Sequence, residues 1–424
     1  MIYNATIYND SWNTKKLYEL GDFSRGKSKH RPRNDPKLFD NGEYPLVQTG
    51  DIKAATLYVS KHEAAYNEFG LSQSKLWPTG TLCITIAANI AETGILAYPM
   101  CFPDSIVGFT ANQAETSEQF MHYIFTYIRQ SIQNSVSGSI QDNINIEYLK
   151  SLDFKIPEKS YQDKIVSVLS GLDEKIELNS KICSELETMS KTLYDYWFVQ
   201  FDFPDENGKP YRTSGGEMIW NEQLKREIPK GWEATRLGNI CDFRNGINYD
   251  KDVEGDQEYR IINVRNISSA SLLLNESELD KINLPSVQAD KYLLSSDDIV
   301  IARSGTPGAT RLLWKINEPT IFCGFIICST PHEALHKIYL TYCLKRLEGT
   351  SATKTGGSIL QNVSQDTLKN LFVLIPDREV LRQFNAVISL ILEKIHSNID
   401  ENNELTKLRD WLLPMLMNGQ AWVE

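Results

Sequence analysis

The chain has 424 residues, a formal net charge of −11 and a hydrophobic fraction of 41%, and its mean hydropathy of −0.34 is ordinary for a soluble globular protein. This length predicts about two to four domains, and the acidic balance argues against a stand-alone nucleic-acid binder but permits a subunit whose partners carry part of such a contact. The sequence shows no apolar run that could cross a membrane, no signal pattern after Met1 and no CxxC pair among its seven cysteines, so we expect a cytoplasmic protein with free thiols.

Residues 1–157 are predicted to form a first domain of mixed α/β structure. Short apolar runs predict strands at residues 45–49, 82–87, 106–110 and 153–156. Residues 120–132 have the apolar spacing of a helix. Asn145 is a candidate N-cap for a short helix that ends near Leu152.

A basic segment at residues 25–37 lies in this first domain and has neither helical nor strand periodicity. Two interpretations are equally open, a loop that contacts nucleic-acid phosphates and an ordinary solvated loop. The candidate nucleic-acid contacts in this segment are Arg25, Lys27, Lys29, Arg31 and Arg33.

Residues 21–28 also fit the phosphate-loop pattern G-x-x-x-x-G-K-S. A true phosphate loop follows a buried strand and opens a helix, whereas the residues before this match are too few and polar for a core strand. The residues after it, KHRPR, are unsuited to starting a helix. We therefore interpret the match as accidental.

Small and amide residues at positions 137–144 (SGSIQDNI) recur at positions 356–363 (GGSILQNV). Such residues before a capped helix suit a close approach to a backbone or a base edge, and they also suit a tight turn that fixes the helix start. The candidate DNA contacts in the two copies are Ser139, Gln141, Asn143, Ser358, Gln361 and Asn362.

Residues 158–198 are predicted to form a long helix whose apolar side chains follow a heptad seam. The seam positions are Ile165, Leu169, Leu172, Ile176, Asn179, Cys183, Leu186, Ser190, Leu193 and Trp197. At about 1.5 Å per residue, the helix would be roughly 55 Å long. Residues 378–424 repeat the seam at a shift of 219, which predicts an antiparallel two-helix coiled coil. Asn179 and Asn398 fall near the two midpoints, where they either meet and fix the register or face solvent.

Residues 199–232 are rich in proline, glycine and charge, and they are predicted to be a connector that reverses the chain. Phe198, Phe201, Phe203 and Trp220 are candidates to pin this connector against a domain.

Residues 233–377 are predicted to form a second mixed α/β domain. Strands are predicted at residues 260–264, 298–302, 310–314 and 321–328, and a helix at residues 337–346. Basic and amide side chains fall at the predicted strand ends and turns, namely Arg244, Asn245, Arg265, Asn266, Arg303, Ser304 and Thr306. Arg and Asn are the side chains that pair best with guanine and adenine edges, so these residues are candidate DNA contacts.

The two halves of the chain form a diverged internal repeat. Trp12, Leu17, Asp22, Phe23 and Gly26 match Trp232, Leu237, Asp242, Phe243 and Gly246 at a shift of 220. Residues 138–157 match residues 357–376 at a shift of 219, and between these blocks the shift wanders. The predicted plan is domain, helix, domain, helix. Because no nucleophile elbow, paired metal-binding histidines or methyltransferase tetrad is present, we expect a component with no catalytic residues and no metal site.

This plan resembles the specificity subunit of type I restriction-modification systems. Both heptad helices carry a Glu-Lys-Ile segment, at 174–176 and 393–395. The connector carries YWF at 196–198, FDFP at 201–204, GGEM at 215–218 and IPKGW at 228–232. The resemblance covers essentially the whole chain.

The resemblance implies two target recognition domains that read a bipartite double-stranded DNA target with a fixed spacer. It implies that the paired helices hold these domains apart and dock two methyltransferase subunits. Adenine methylation with S-adenosylmethionine, and DNA cleavage by restriction/translocase subunits with ATP and Mg²⁺, would take place on those partners. This chain would then hold no cofactor of its own.

Three other functions remain open from the sequence. The chain would be the recognition subunit of another restriction-modification class if one partner carried both methyltransferase and nuclease activity. It would be an NTPase if residues 21–28 bound a nucleotide. It would be a structural coiled-coil adaptor if it had no role on DNA.

Overall fold

The computed structural model describes residues 4–137, 144–249, 255–268, 271–346, 348, 354–355, 358–359 and 363–423. The chain divides into unit 1, Met1–Leu178 with Glu404–Glu424, and unit 2, Asn179–Asn403. Both units mix helices and sheets, as predicted. Within the described ranges, no helix combines the length and the apolarity that a membrane crossing requires.

The first eleven strands and the first five helices belong to unit 1, and the sixth helix begins there. The strands are β1 (Asn13–Lys16), β2 (Gly21–Arg25), β3 (Tyr44–Leu46), β4 (Tyr58–Val59), β5 (Ala64–Tyr66), β6 (Leu76–Trp77), β7 (Leu82–Thr85), β8 (Thr93–Leu96), β9 (Met100–Cys101), β10 (Ile106–Ala111) and β11 (Asp153–Ile156). The helices are α1 (Leu17–Leu20), α2 (Thr49–Ala54), α3 (Glu68–Ser72), α4 (Glu118–Ser137), α5 (Ile146–Lys150) and α6 (Lys159–Tyr194).

Unit 1 is organised around a five-stranded sheet in the order β2-β10-β7-β8-β4. A four-stranded sheet, β5-β3-β9-β6, and the pair β1-β11 complete its β structure. Helix α4 covers the larger sheet because its apolar residues recur at steps of four, and Phe120, Ile124, Ile128 and Ile132 are all buried in the core of this unit.

The remaining strands and helices belong to unit 2, except that the last helix ends in unit 1. The strands are β12 (Met218–Asn221), β13 (Arg226–Pro229), β14 (Glu233–Arg236), β15 (Cys241–Asn245), β16 (Gln257–Ile262), β17 (Asp280–Leu284), β18 (Ile299–Ala302), β19 (Thr310–Leu312), β20 (Thr320–Phe322), β21 (Ile326–Pro331), β22 (Lys354–Thr355), β23 (Ser358–Ile359) and β24 (Phe372–Ile375). The helices are α7 (Val264–Ile267), α8 (Ser286–Ala289), α9 (Lys337–Arg346), α10 (Gln365–Asn370) and α11 (Arg378–Met417).

Both units contain the same four-strand frame, β2-β10-β7-β8 in unit 1 and β15-β21-β18-β19 in unit 2. The strand registers agree. The equivalent pairs are Gly108–Ser24 with Cys328–Arg244, and Ile106–Thr85 with Ile326–Ala302. The shift between the copies is 220 for β2 and β10 but 217 for β7. The wandering shift in the sequence therefore reflects insertions and deletions within one fold.

Most predicted elements are confirmed, with a few corrections. Asn145 caps α5, because its side chain accepts a hydrogen bond from the Tyr148 N–H at 2.8 Å. The strand predicted at 321–328 is wrong, since β20 ends at Phe322 and β21 begins at Ile326. The strand predicted at 45–49 is shorter, because the chain already enters α2 at Thr49.

The connector holds a β12-β13 hairpin and is anchored in the core of unit 2 by aromatic residues. Phe198, Phe201 and Phe203 are buried there, as predicted. Trp220 does not contribute, because 59% of its surface is exposed. Trp232 is buried in this core instead. Its ring stacks on that of Phe203, with the ring centroids 4.9 Å apart.

Parts of the predicted seam are buried in each unit. In unit 1, Ile165 and Leu169 of α6 join Leu416 of α11 in one apolar core. In unit 2, Cys183 and Leu186 of α6 pack against the core that contains Ile395 of α11. Since residue numbers rise along one helix as they fall along the other, the helices pack antiparallel in each unit.

Polar residues of the seam have specific partners in place of apolar contacts. In unit 1, Arg409 Nη1 donates to Asp173 Oδ1 at 2.8 Å, and Tyr123 Oη donates to Asp173 Oδ2 at 2.7 Å. In unit 2, Ser190 accepts a hydrogen bond from Tyr342 Oη at 2.7 Å. Satisfied polar positions of this kind favour one helix register over its neighbours.

The two seam asparagines do not pair with each other. Asn179 and Asn398 are both buried, so the alternative that they face solvent is wrong, and so is the prediction that they meet as a pair. Asn179 Nδ2 donates to Glu401 Oε2 at 2.7 Å and to Asn402 Oδ1 at 3.0 Å. Asn398 lies beside Cys183, a thiol whose pKa is raised by burial. Its own amide has no hydrogen-bond partner among the described residues.

The repeat explains this asymmetry and leads to a prediction. At the shift of 219, Cys183 and Asn402 are equivalent positions. Cys183→Asn should therefore supply an amide to Asn398 and raise the free energy of unfolding by about 1 kcal/mol. Asn402→Cys should remove an amide from Asn179 and lower it by about the same amount. Urea unfolding of both variants measures these changes.

Ser184→Asn, at an exposed position of the same helix, is the control for adding an amide, and its unfolding midpoint should not change. If Cys183→Asn and Asn402→Cys changed the free energy of unfolding in the same direction, the equivalence of positions 183 and 402 would be contradicted.

Candidate nucleic-acid interface

The strand ends of the four-strand frame form equivalent edges in the two units. In unit 1, the N–H groups of Gly26, Ile86 and Ile144 donate to the carbonyls of Ile106, Ser105 and Ile86 at 2.9, 2.9 and 3.1 Å. In unit 2, the N–H groups of Gly246, Arg303 and Val363 donate to the carbonyls of Ile326, Phe325 and Arg303 at 3.2, 2.8 and 2.8 Å. Each edge thus joins the end of the first frame strand, the hairpin after β7 or β18, and the segment that precedes α5 or α10.

The basic segment of unit 1 lies at this edge. Residues 21–25 form β2 and no helix begins directly after Ser28, so the pattern at residues 21–28 does not build a phosphate loop. A cleft of about 200 Å³ beside it is lined by Arg25, Arg33, Ile86, Ala87, Asp104, Ser105 and Ile144.

Two of the five candidate cations in this segment are engaged within the unit. Arg33 Nη2 lies 2.5 Å from Asp104 Oδ1, and Arg31 Nη2 lies 3.8 Å from Asp104 Oδ2. Arg25, Lys27 and Lys29 are exposed, and their charged groups have no partner among the described residues. The loop itself is braced, because Gln73 Oε1 accepts the backbone N–H of Lys29 at 2.7 Å.

A hydrogen bond between two side chains of the segment occupies its only carboxylate. His30 Nε2 lies 2.8 Å from Asp35 Oδ2, and this hydrogen bond, with that from the Lys37 N–H, holds the pKa of Asp35 below its ordinary value. The only carboxylate of the segment therefore stays charged and occupied by His30, and it does not face the three exposed cations as a partner.

The candidate residues of unit 2 divide into structural and exposed groups. Arg244 has a structural role, since it donates to Asp298 Oδ2 at 2.9 Å and to the Leu293 carbonyl at 2.7 Å, and its DNA contact stays a prediction. Asn266 also serves the fold, because its Oδ1 accepts the Asn263 N–H at 2.8 Å and caps α7.

Of the other described candidates of unit 2, Asn245 and Arg303 lie at the edge. Arg265 is exposed and forms an ion pair with Asp280. Asn245 ends β15 and is exposed. Arg303, Ser304 and Thr306 lie on the hairpin after β18.

The hairpin residues of unit 2 differ in their contacts. Thr306 Oγ1 lies 2.9 Å from Ser268 Oγ. The Arg303 guanidinium has no partner among the described residues.

Some candidates cannot be placed. Ser139, Gln141, Asn143, Gln361 and Asn362 lie outside the described residues. Ser358 is the first residue of β23. Their DNA contacts stay predictions.

The hairpin at residues 86–92 of unit 1 was missed by sequence reasoning. It is the structural copy of the hairpin at residues 303–309, but the local shift is 217. Aligning the apolar strands LCIT and IVIA of β7 and β18, with no fixed shift imposed, would have found it.

Charged side chains also lie beside this hairpin of unit 1. Arg129 pairs with Glu92, and Lys53 Nζ lies 3.4 Å from Asn89 Oδ1. Behind them, Thr93 Oγ1 lies 3.0 Å from His122 Nδ1. Burial, with the nearby charges of Arg129 and Arg409, lowers the pKa of His122 to about 3, so this ring is neutral at physiological pH.

No group of three or more His, Cys, Asp or Glu side chains in the described part of the chain is arranged to hold a metal ion.

Arg244 pairs within the unit and Arg303 has no partner for its guanidinium among the described residues, and this difference predicts different effects on stability. Arg244→Ala should lower the free energy of unfolding by about 2 kcal/mol, because Asp298, only 2% exposed, would lose its cation. Arg303→Ala should change it by less than about 0.5 kcal/mol. Chemical denaturation of both variants measures the difference, and equal losses would contradict the assignment.

Comparison with known proteins identifies the family. The chain matches the type I restriction modification DNA specificity domain over residues 9–188 and again over residues 229–408. It is 25% identical to the type I restriction enzyme MjaIX specificity subunit of Methanocaldococcus jannaschii, with 97% of this chain and 94% of that protein covered. It is also 25% identical to the HindI specificity subunit of Haemophilus influenzae, over 72% of this chain and 75% of that protein.

A solved structure agrees in fold. The type I restriction-modification S subunit from M. genitalium aligns with a TM-score of 0.57 over 98% of this chain and 99% of that chain, at 17% identity. The duplicated frame, the paired helices and the two family matches together show that this chain belongs to the family of type I restriction-modification DNA specificity subunits.

Proposed function

We propose that this chain gives a type I restriction-modification complex its sequence specificity by reading two half-sites in DNA, one with each unit. As a member of its family, it is the DNA-recognition subunit of such a system. The observation that supports the two-reader proposal is the repeated four-strand frame, whose equivalent edges carry unlike side chains. Base identity is read by side chains, so one frame with two surfaces suits two different half-sites.

The exposed cations at the edge of unit 1, Arg25, Lys27 and Lys29, would position the DNA backbone, because their charged groups have no protein partner among the described residues. Local positive charge is sufficient for such contacts although the chain is acidic as a whole, because phosphates respond to nearby charges.

Exposed apolar residues on the long helices support docking of partner proteins. In unit 1, Trp411 and Leu178 are 58% and 53% exposed, and in unit 2, Leu390 and Met189 are 75% and 56% exposed. Apolar surface on an otherwise polar helix is typical of protein interfaces. We assign these surfaces to two methyltransferase subunits, with restriction subunits joining the complex.

The chemistry would belong to those partners. In this proposal S-adenosylmethionine, ATP and Mg²⁺ bind to the methyltransferase and restriction subunits, and this chain supplies recognition without catalysis. The complex would act in the cytoplasm, where it meets DNA. Copurification of one partner with both methyltransferase and nuclease activity would favour the other restriction-modification class.

The length of the helix pair is expected to set the spacer between the half-sites. One heptad inserted into α6 after Glu177 and one into α11 after Asn403 would keep the seam register while adding about 10 Å of helix. Because base pairs stack at about 3.4 Å, methylation at the original spacing should be lost, and any remaining motif should have a spacer longer by about three base pairs.

Sequencing of modified bases in cells that express the complex measures the motif. Substitutions at two exposed sites of α6, Glu174→Gln and Lys181→Gln, are the control that leaves the helix length unchanged, and they should keep the spacer. Retention of the original spacer after both insertions would contradict the proposal.

The basic segment of unit 1 is expected to contact phosphates. The triple variant Arg25→Ala, Lys27→Ala, Lys29→Ala should weaken binding to all sequences and reduce the slope of log affinity against log salt by up to about 2.7, or about 0.9 per phosphate contact. Arg33→Ala is the matched control, because this guanidinium already pairs with Asp104. A salt slope that is the same in the triple variant and the wild type would show that the loop is only solvated surface.

A further inference from the structure

The two edge hairpins share an unusual backbone. Ala88 and Ala91 in unit 1 have φ of 58° and 61°, and Gly305 and Gly308 in unit 2 have φ of 80° and 87°. These are equivalent positions at the shift of 217, and left-handed conformations at two such positions are rare for residues with a side chain. Both hairpins therefore turn in the same way despite unrelated sequences.

The hydrogen bonds that close the two hairpins are also equivalent. In unit 1, Thr85 N–H donates to Glu92 and Ala91 N–H donates to Thr85, both at 2.9 Å. In unit 2, Ala302 N–H donates to Ala309 and Gly308 N–H donates to Ala302, both at 2.8 Å. The chain thus presents four residues at each tip, 87–90 and 304–307, on one common support.

The two units stabilise this turn by different means. Unit 2 uses glycines, which adopt positive φ without steric cost. Unit 1 has alanines, and there the buried Thr85 hydroxyl donates to the Asn89 carbonyl and accepts the Glu92 N–H at 3.0 Å. A turn that is kept where its sequence is unfavourable indicates that its geometry serves a function.

The side chains at the two tips differ in chemistry. The tip at 87–90 reads Ala-Ala-Asn-Ile and the tip at 304–307 reads Ser-Gly-Thr-Pro, directly after Arg303. Two cations flank the tip of unit 1. Arg25 lines the same cleft as Ala87, and Lys53 lies beside Asn89. Such flanking charge would bring a DNA groove against the tips.

We propose that these two hairpins are the base-reading elements of the chain, with Asn89 at the tip of one reading the half-site of unit 1, and Arg303, which directly precedes the tip of the other, reading the half-site of unit 2. The inference rests on the proposed function and names the residues that perform it. An Asn amide pairs with the adenine edge in the major groove, and an Arg guanidinium with the guanine edge. The turn geometry that the two hairpins share holds the reading side chain in place. The side chain that differs between the hairpins sets which base is read.

A selection of duplexes by the full chain, assembled with its modification subunits, tests this proposal. One DNA pool randomises the half-site of unit 1 and fixes the other, and a second pool does the reverse. Asn89→Ala should reduce the preference for one base pair in the first pool by roughly 5- to 150-fold and leave the second pool unchanged. Arg303→Ala should do the opposite.

A tip exchange provides a second test that replaces one turn by another of the same geometry. The substitutions Ala87→Ser, Ala88→Gly, Asn89→Thr and Ile90→Pro place the unit 2 tip in unit 1, and they should change base preference in the first pool only. Arg25→Ala is the control for a backbone contact and should weaken binding to all sequences equally.

The unfolding midpoint of each variant is also measured. If an alanine variant has a lower unfolding midpoint than the wild type, Asn89→Asp or Arg303→Lys is tested in its place. Unchanged base preferences in both pools, or a loss of affinity that is uniform across sequences, would overturn the role of the tips. A wild-type complex that selects no sequence from either pool would overturn the proposed function itself, and the tips with it.

Discussion

The burial of one apolar seam along α6 and α11 constrains both units, because each unit contains a segment of each helix and completes its core with it. Apolar packing alone would tolerate a slip of one heptad. The polar seam positions remove that tolerance, since a slip would separate Asp173 from Arg409 in unit 1 and Asn179 from Asn402 in unit 2. Leaving such buried groups unpaired costs more than the bonds contribute when made.

The two units share the register of their four-strand frame and differ in the residues at its edges. The four-strand frame keeps its register in both units although the local shift changes from 220 to 217. The edges vary, and a cation occupies a different position in each, Arg25 at the end of β2 and Arg303 on the hairpin after β18. Other arginines do not add free positive charge to the edges. Arg33 and Arg244, for example, are neutralised by carboxylates of their own unit.

Much of the fold followed from local patterns. The heptad seam, helix α9 at its predicted ends, strand β11 and the Asn145 cap were all predicted from residues close together in the chain. The errors came where a short-range pattern is ambiguous. The apolar run at 321–328 continues through Gly324, and only the pairing of β20 with β16 and of β21 with β15 and β18 shows that it is two strands. Strand partners distant in sequence decide such a break.

The sequence by itself determined the duplication, the two seam helices and the family, because periodicity, repeats and connector motifs are properties of the chain read in order. Only the tertiary structure decided which arginines are free, since the partner of Arg244 lies 54 residues away at Asp298. It also decided that Asn179 meets Asn402, and that the hairpin at Asn89 copies the one at Thr306. These outcomes depend on which side chains folding brings together, and no local pattern contains that information.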